Sequence, residues 1–268
     1  HLKSKLWAIY TFWMIINFRG TQIHYNVEGK RDALVLLHGF LESSTMWNSL
    51  MPVLSKRFKV ISVDLPGHGK SGVFGDTHSM QLMADCILEI LRIEDVKNAH
   101  FVGHSMGGYV ALAYLKNNLE QVTSITLLNS TPSEDSISRK KNRERAVQLI
   151  KKYPQAFISM GVTNLFANEK ASIYEETIKA MKAEANTYPI DGIIANIKGM
   201  KTREDTRELL RNYKGQKNII TGKEDPIVLF NEIKNIAKVT DSKLYSLSGG
   251  HMSHIEAKNE VLDIILRL

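Results

Sequence analysis

Short β-branched or Leu-rich runs recur along the chain at residues 33–37, 59–63, 99–103, 122–128, 217–221 and 243–246. Most are separated by segments whose apolar residues return every three or four positions, as at 80–91, 106–116 and 255–268. The first pattern predicts strands and the second amphipathic helices. Run 33–37 is apolar throughout and run 99–103 is apolar apart from His100, which predicts strands covered on both faces. Two further runs, 14–18 and 22–27, flank Arg19-Gly20 and read as a hairpin. The pattern as a whole predicts an α/β fold: a mostly parallel eight-stranded sheet, opened by an antiparallel hairpin, with helices on both faces.

One stretch breaks the alternation. From 130 to 202 no strand is expected. Several amphipathic helices are, punctuated by Pro132, Pro154, Gly161 and Pro189. Helices inserted between two strands of such a sheet predict a cap over the carboxyl edge, where open α/β sheets bind ligands. The expected organisation is a core of 14–129 and 203–268, with the cap at 130–202. Residues 6–18 follow Lys3 and Lys5 and superficially resemble a signal peptide. The run is too short to span a bilayer, and no small-residue cleavage site follows it. Residues 1–13 are therefore expected to be an appended or upstream extension.

Composition narrows the classes. The 268 residues are 43% hydrophobic and 24% charged, which excludes wholesale disorder. Cys86 is the single cysteine, so an intramolecular disulfide and a Cys-rich zinc site are both excluded. Cysteine poverty fits a reducing, cytoplasmic setting. Thirty-five Lys and Arg against 28 Asp and Glu give a net charge of +7. The densest basic run, Arg139, Lys140, Lys141, Arg143 and Arg145, then Lys151 and Lys152, is bracketed or interrupted by Glu134, Asp135 and Glu144. It reads as a solvated helix face; no nucleic-acid partner and no membrane contact are expected. His24, His78 and His100 lack metal-ligand spacing, Cys86 reads as a small core residue, and Trp47 with Met46 reads as core packing.

The strongest chemical signal is Gly103-His104-Ser105-Met106-Gly107-Gly108. It sits between a predicted strand and a predicted helix, the context of a nucleophile elbow, where small flanking residues permit a sharp turn and the serine projects from its tip. A serine hydroxyl needs a base, and the base needs a group to orient it. His251 and Asp225 each follow a predicted strand, so Ser105, Asp225 and His251 are expected on one sheet edge. Glu224 competes as the acid and His254 as the base; Asn129, also at a strand end, cannot be the acid. Donors for an oxyanion are expected from the N–H groups of Met106 and Phe40. Gly39, Leu41 and His104 are expected to line the pocket.

The motifs Leu37-His38-Gly39-Phe40, Asp64-Leu65-Pro66-Gly67-His68-Gly69-Lys70-Ser71, Gly103-His104-Ser105-Met106-Gly107-Gly108, Asp225-Pro226 and Gly250-His251 together resemble those of α/β-hydrolase-fold serine hydrolases. The resemblance runs from Met14 to the end. It implies hydrolysis of a small carboxylic ester with a short-to-medium acyl chain, through an acyl-enzyme and without a cofactor or metal. Carboxylesterases, cofactor-free haloperoxidase-like enzymes, monoacylglycerol lipases and C–C hydrolases share this triad. Epoxide hydrolases and haloalkane dehalogenases carry Asp at the elbow, where this chain has Ser105. A menaquinone-pathway lyase of the same fold shares His38-Gly39-Phe40-Leu41, but typically has Tyr where His104 stands and Arg where Tyr109 stands. That lyase, a C–C bond hydrolase and a ligand-binding receptor of this fold remain the alternatives. Asp64–Ser71 reads as a structural loop near the site.

Overall fold

The computed structural model describes residues 12–166 and 172–268. The chain begins with strands β1 (Phe12–Phe18), β2 (Thr21–Glu28) and β3 (Ala33–Leu37), then helix α1 (Met51–Arg57), β4 (Lys59–Val63), α2 (Met80–Ile93), β5 (Ala99–His104), α3 (Met106–Asn117) and β6 (Val122–Leu128). Helices α4 (Ile137–Lys152), α5 (Pro154–Thr163), α6 (Glu175–Ala185), α7 (Ile190–Lys201) and α8 (Arg207–Asn212) follow. The chain closes with β7 (Gln216–Gly222), α9 (Phe230–Val239), β8 (Lys243–Leu247), α10 (Ser253–Glu256) and α11 (Lys258–Ile265). The sheet has eight strands in the order β1-β2-β4-β3-β5-β6-β7-β8. β1 pairs antiparallel with β2 and β2 with β4, while every pairing from β4 through β8 is parallel.

The sheet is built as its apolar strands require. Leu34 and Leu36 of β3 face one side, packed with Trp47, Leu54 of α1, and Val261 and Ile265 of α11. Val35 and Leu37 face the other, packed with Ile87 and Ile90 of α2, Val110 of α3 and Ile233 of α9. Each residue of β3 and β5 is buried, so both faces of the central strands are covered. Trp47 is fully buried in the first of these cores. Cys86 is buried in the second, where burial pushes its thiol up to about 12, a range in which it is inert.

Most elements run one or two residues past their expected bounds, and two differences have a visible cause. β1 begins two residues earlier, because Phe12 and Trp13 continue the ladder opposite Val27 and Asn26. Residues 1–11 of the expected extension lie outside the described residues. The expected helix over 255–268 is divided at Ala257, whose φ of −137° and ψ of +45° are not helical. Glu256 explains the break: its Oε2 accepts from the Gly250 N–H at 2.9 Å and its Oε1 from the Met252 N–H at 3.3 Å. The carboxylate pulls the short α10 back onto the loop after β8.

Helices α4 to α7 pack around a third apolar cluster that includes Ile150, Ile158, Ile178, Ile193 and Ile197, and that reaches the sheet edge at Leu41 and Met252. Polar contacts also fasten these helices to the rest of the fold. Glu184 of α6 accepts from Ser43 Oγ at 2.5 Å and Thr45 Oγ1 at 2.9 Å. Asp135, whose side chain is fully buried, pairs with Arg143 of α4 and, at 2.7 Å, with Nη1 of Arg203, itself only 5% exposed. The basic run on α4 is thus partly neutralised, since Lys140 also meets Glu134 at 2.6 Å, whereas Glu144 of the same helix is taken up by Lys201 of α7 at 2.6 Å.

Removing one member of a buried ion pair strands the other without water, at about 3–5 kcal/mol. Asp135→Ala is therefore expected to lower unfolding stability by about that amount, because two arginines lose their counter-ion at once. Urea unfolding followed by tryptophan fluorescence measures it. A loss below about 1 kcal/mol would mean that Arg143 and Arg203 find water or other acceptors.

Candidate active site

Ser105 stands between β5 and α3 with φ +49° and ψ −114°. A non-glycine residue there is strained, by about 1–3 kcal/mol, and such a conformation persists only where the surroundings enforce it. Here the Ser105 N–H donates to the Leu128 carbonyl at 3.0 Å, and Ser130 Oγ donates to the Ser105 carbonyl at 2.7 Å. Gly103 and Gly107 are required by close approach. A Cβ on Gly103 would lie 2.4 Å from the Gly107 carbonyl carbon, and one on Gly107 would lie 2.3 Å from the Leu37 carbonyl oxygen.

The loops after β7 and β8 meet so closely that a Cβ on Gly222 would lie 2.2 Å from the Gly250 carbonyl oxygen. Asp225 and His251 are brought together there, with His251 Nδ1 2.9 Å from Asp225 Oδ2 and 3.0 Å from Oδ1. Asp225 Oδ1 also accepts from the N–H groups of Ile227 (2.8 Å) and Val228 (2.9 Å), and Oδ2 from Asn129 Nδ2 (3.0 Å). Burial pushes the Asp225 carboxyl up, but His251 and these donors outweigh it and hold the group below the usual carboxylate range. His251 is fully buried, and its Nε2 has no hydrogen-bond partner within the protein. Glu224, the neighbouring acid, is exposed. Asn129 donates to the Gly250 carbonyl as well (3.1 Å), so one amide ties the end of β6 to both loops.

The segment after β3 is held from below. Gly39 donates its N–H to Glu42 Oε2 at 2.8 Å, and Leu41, with φ +65°, donates its N–H to His68 Nε2 at 3.2 Å. Burial keeps His68 well below the ordinary imidazole value, hence neutral and able to accept. His38 Nε2 accepts from the Leu65 N–H at 2.9 Å. Asp64 accepts from the N–H groups of Ser44 and Lys70, each at 2.9 Å. The Asp64–Ser71 loop therefore buttresses the Gly39–Leu41 turn. The N–H groups of Phe40 and Met106 take no part in these turn and loop hydrogen bonds.

Two expected pocket residues sit elsewhere. The side chain of His104 is 1% exposed and lines neither the cavity at Leu41 nor the one at Tyr109, with Nδ1 2.7 Å from Glu42 Oε2 and Nε2 2.9 Å from the His251 carbonyl oxygen. It is the last residue of β5, and neighbouring side chains at a strand end point to opposite faces. Gly39 contributes backbone rather than surface, since the space for a Cβ is filled by Glu42 Oε2 at 2.3 Å. Leu41 does border a cavity of about 370 Å³, which also meets Met46, Met181, Glu184 and His254. His254 is buried beside Glu42 and pushed by that burial down to about 3, so it is neutral. A second cavity of about 330 Å³ lies against Tyr109, Lys116 and Arg203. Ser105 lines neither cavity.

Glu42 and Asn129 are the site residues that the sequence did not single out for a positive role. Among the described residues, no group of three His, Cys, Asp or Glu side chains is arranged to hold a metal ion, and no helix is long and apolar enough to cross a membrane.

With sheet order, elbow and loops in place, the comparison with known proteins is direct. Residues 32–258 match the α/β hydrolase fold, and the chain belongs to that family. A 3-oxoadipate enol-lactonase from Acinetobacter baylyi is 25% identical over 257 residues, covering 94% of each chain. An esterase from Thermogutta terrifontis superposes with a TM-score of 0.87 at 25% identity, over 95% of this chain and 96% of that one. An uncharacterised protein of Mycobacterium tuberculosis is 32% identical over 106 residues, so the chain matches only 31% of that relative's length.

Proposed function

We propose that the protein is a serine hydrolase of small carboxylic esters. The observation that carries this reading is the Asp225–His251 pair, whose free Nε2 belongs to a loop joined through His104 to the strained Ser105 elbow. Ser105 Oγ attacks the ester carbonyl while His251 Nε2 takes its proton. Asp225 holds Nδ1–H and stabilises the imidazolium. The N–H groups of Phe40 and Met106 receive the tetrahedral oxyanion. His251 then protonates the leaving alcohol, and a water deprotonated by the same nitrogen releases the acid and frees Ser105.

The acyl group would lie beside Leu41, where the apolar cluster beneath α4 to α7 meets the sheet edge and Met252 of the same cluster is fully buried. That surface suits a short or medium alkyl chain better than a charged one. A cyclic enol ester is the second reading, motivated by the Acinetobacter enol-lactonase, to which the similarity runs nearly end to end. Hydrolysis of p-nitrophenyl acetate, butyrate, octanoate and palmitate, beside α-angelica lactone as a simple enol-lactone, tests both. The expected optimum is at butyrate or octanoate, with palmitate slower. Lactone turnover far above every open-chain ester would favour the cyclic substrate. No turnover of any, together with no covalent capture of Ser105 by a fluorophosphonate, would overturn the hydrolase reading.

A further inference from the structure

Glu42 is a carboxylate that the hydrolytic steps do not use, buried at 4% exposure beneath the turn after β3. Burial alone would favour its neutral form. His104 beside it, with His254 and His38 farther off, reverses this and holds Glu42 down to about 2. Burial likewise opposes charge on His104, yet Glu42 keeps it above the ordinary imidazole value. The two form an imidazolium–carboxylate pair inside the fold. A buried pair of this kind is weak evidence for stability, because apolar side chains of similar volume often serve as well. What the pair does touch is specific. Glu42 Oε2 accepts the Gly39 N–H at 2.8 Å, and His104, 2.7 Å from the same oxygen, passes its Nε2–H to the His251 carbonyl at 2.9 Å. Glu42 Oε1 makes no hydrogen bond and lies 4.0 Å from His254 Nε2.

We propose that Glu42 is a positioning residue: one carboxylate oxygen fixes the Gly39–Phe40 turn that presents an oxyanion donor and, through His104, the main chain of the general base. The inference rests on the serine-hydrolase reading. It explains why Glu42 occurs at this point of the turn. Gly39 and His251 come from loops 212 positions apart in sequence, and the Glu42–His104 bridge joins the donor turn directly to the main chain of the base. Misplacement of reacting groups by about 1 Å costs on the order of 10²-fold in rate, so a tether of this kind acts on turnover and not on substrate affinity.

The test compares Glu42→Gln, Glu42→Ala, His104→Gln and the Glu42→Gln/His104→Gln double variant with the wild type on p-nitrophenyl butyrate. Active sites are counted by fluorophosphonate capture. A trifluoromethyl ketone, which forms a tetrahedral adduct on serine, reports the transition state; butyrate reports ground-state binding. For Glu42→Ala, kcat per active site is expected to fall about 10²-fold, the scale of such misplacement, with KM and butyrate affinity nearly unchanged. The inhibition constant of the ketone should rise by the same factor. Glu42→Gln should lose less, because its carbonyl can still accept the Gly39 N–H. The double variant should lose no more than the worse single, since both residues act along one tether. Wild-type kcat per active site in folded Glu42→Gln and Glu42→Ala would overturn the inference, as would a loss confined to the number of competent sites. A wild type that neither turns over nor captures the phosphonate overturns the hydrolase reading itself, and this inference with it.

Discussion

Ser105→Ala is expected to lower kcat on a good ester by about 10⁶-fold, the scale of removing a nucleophile that acts as one unit with its base, and to abolish fluorophosphonate capture. The argument is local. Ser105 holds φ +49° because its N–H is bound to Leu128 and its carbonyl to Ser130. Alanine keeps the Cβ and both main-chain bonds, so the elbow should remain and the melting temperature should move little. What disappears is the only nucleophile that the proposal places there. Residual turnover would come from the Phe40 and Met106 donors and from binding alone. Stopped assays with intact-protein mass spectrometry check both halves of the expectation. Capture persisting at another serine, or turnover within tenfold of the wild type, would remove Ser105 from the mechanism.

The parts of the fold read most closely from sequence are those where one physical demand dominates. The five residues of β3 begin and end where its apolar run does, because a strand in the middle of a parallel sheet is buried on both faces; β4 keeps its expected bounds too, although Lys59 and the buried Ser62 interrupt its apolar pattern. The elbow was legible for a similar reason. Backbone atoms within 2.4 Å of an added Cβ leave glycine as the residue for positions 103 and 107. The division of the last helix was not legible, since Glu256 breaks it by reaching back to two N–H groups that only the folded loop presents. His104 shows the limit of reading by adjacency. Next to Ser105 in sequence, it points the other way and is spent on Glu42 and the His251 carbonyl. Asn129 and Glu42 take their meaning from loops far away in sequence, and neither carries a local pattern that announces it. A polar residue directly after a buried strand, as Asn129 follows β6, is the nearest such signal.

Asp225→Asn should lower kcat about 10⁴-fold, the scale of a histidine held in the wrong tautomer, and the surroundings explain why the amide cannot adapt. Oδ1 of Asp225 accepts from two main-chain N–H groups, at Ile227 and Val228. In the variant this position must keep the carbonyl oxygen, because an NH₂ there would face two donors. The NH₂ is thereby forced to the Oδ2 side, 2.9 Å from His251 Nδ1 and 3.0 Å from the Asn129 amide nitrogen. Oδ1, 3.0 Å from Nδ1, already accepts the two main-chain N–H groups, so Nδ1 becomes the acceptor for the nearer NH₂ and the imidazole proton moves to Nε2, the atom that should take the proton of Ser105. Asn129 is already committed to the Gly250 carbonyl, so turning it to present its oxygen would cost that bond. The substitution removes a charge without removing volume. A small shift in melting temperature beside a large loss of turnover, with fluorophosphonate capture slowed in parallel, is thus the expected signature. Activity within a few-fold of the wild type would mean that His251 does not depend on Asp225 for its tautomer, and would return attention to Glu224 one residue earlier on the same loop.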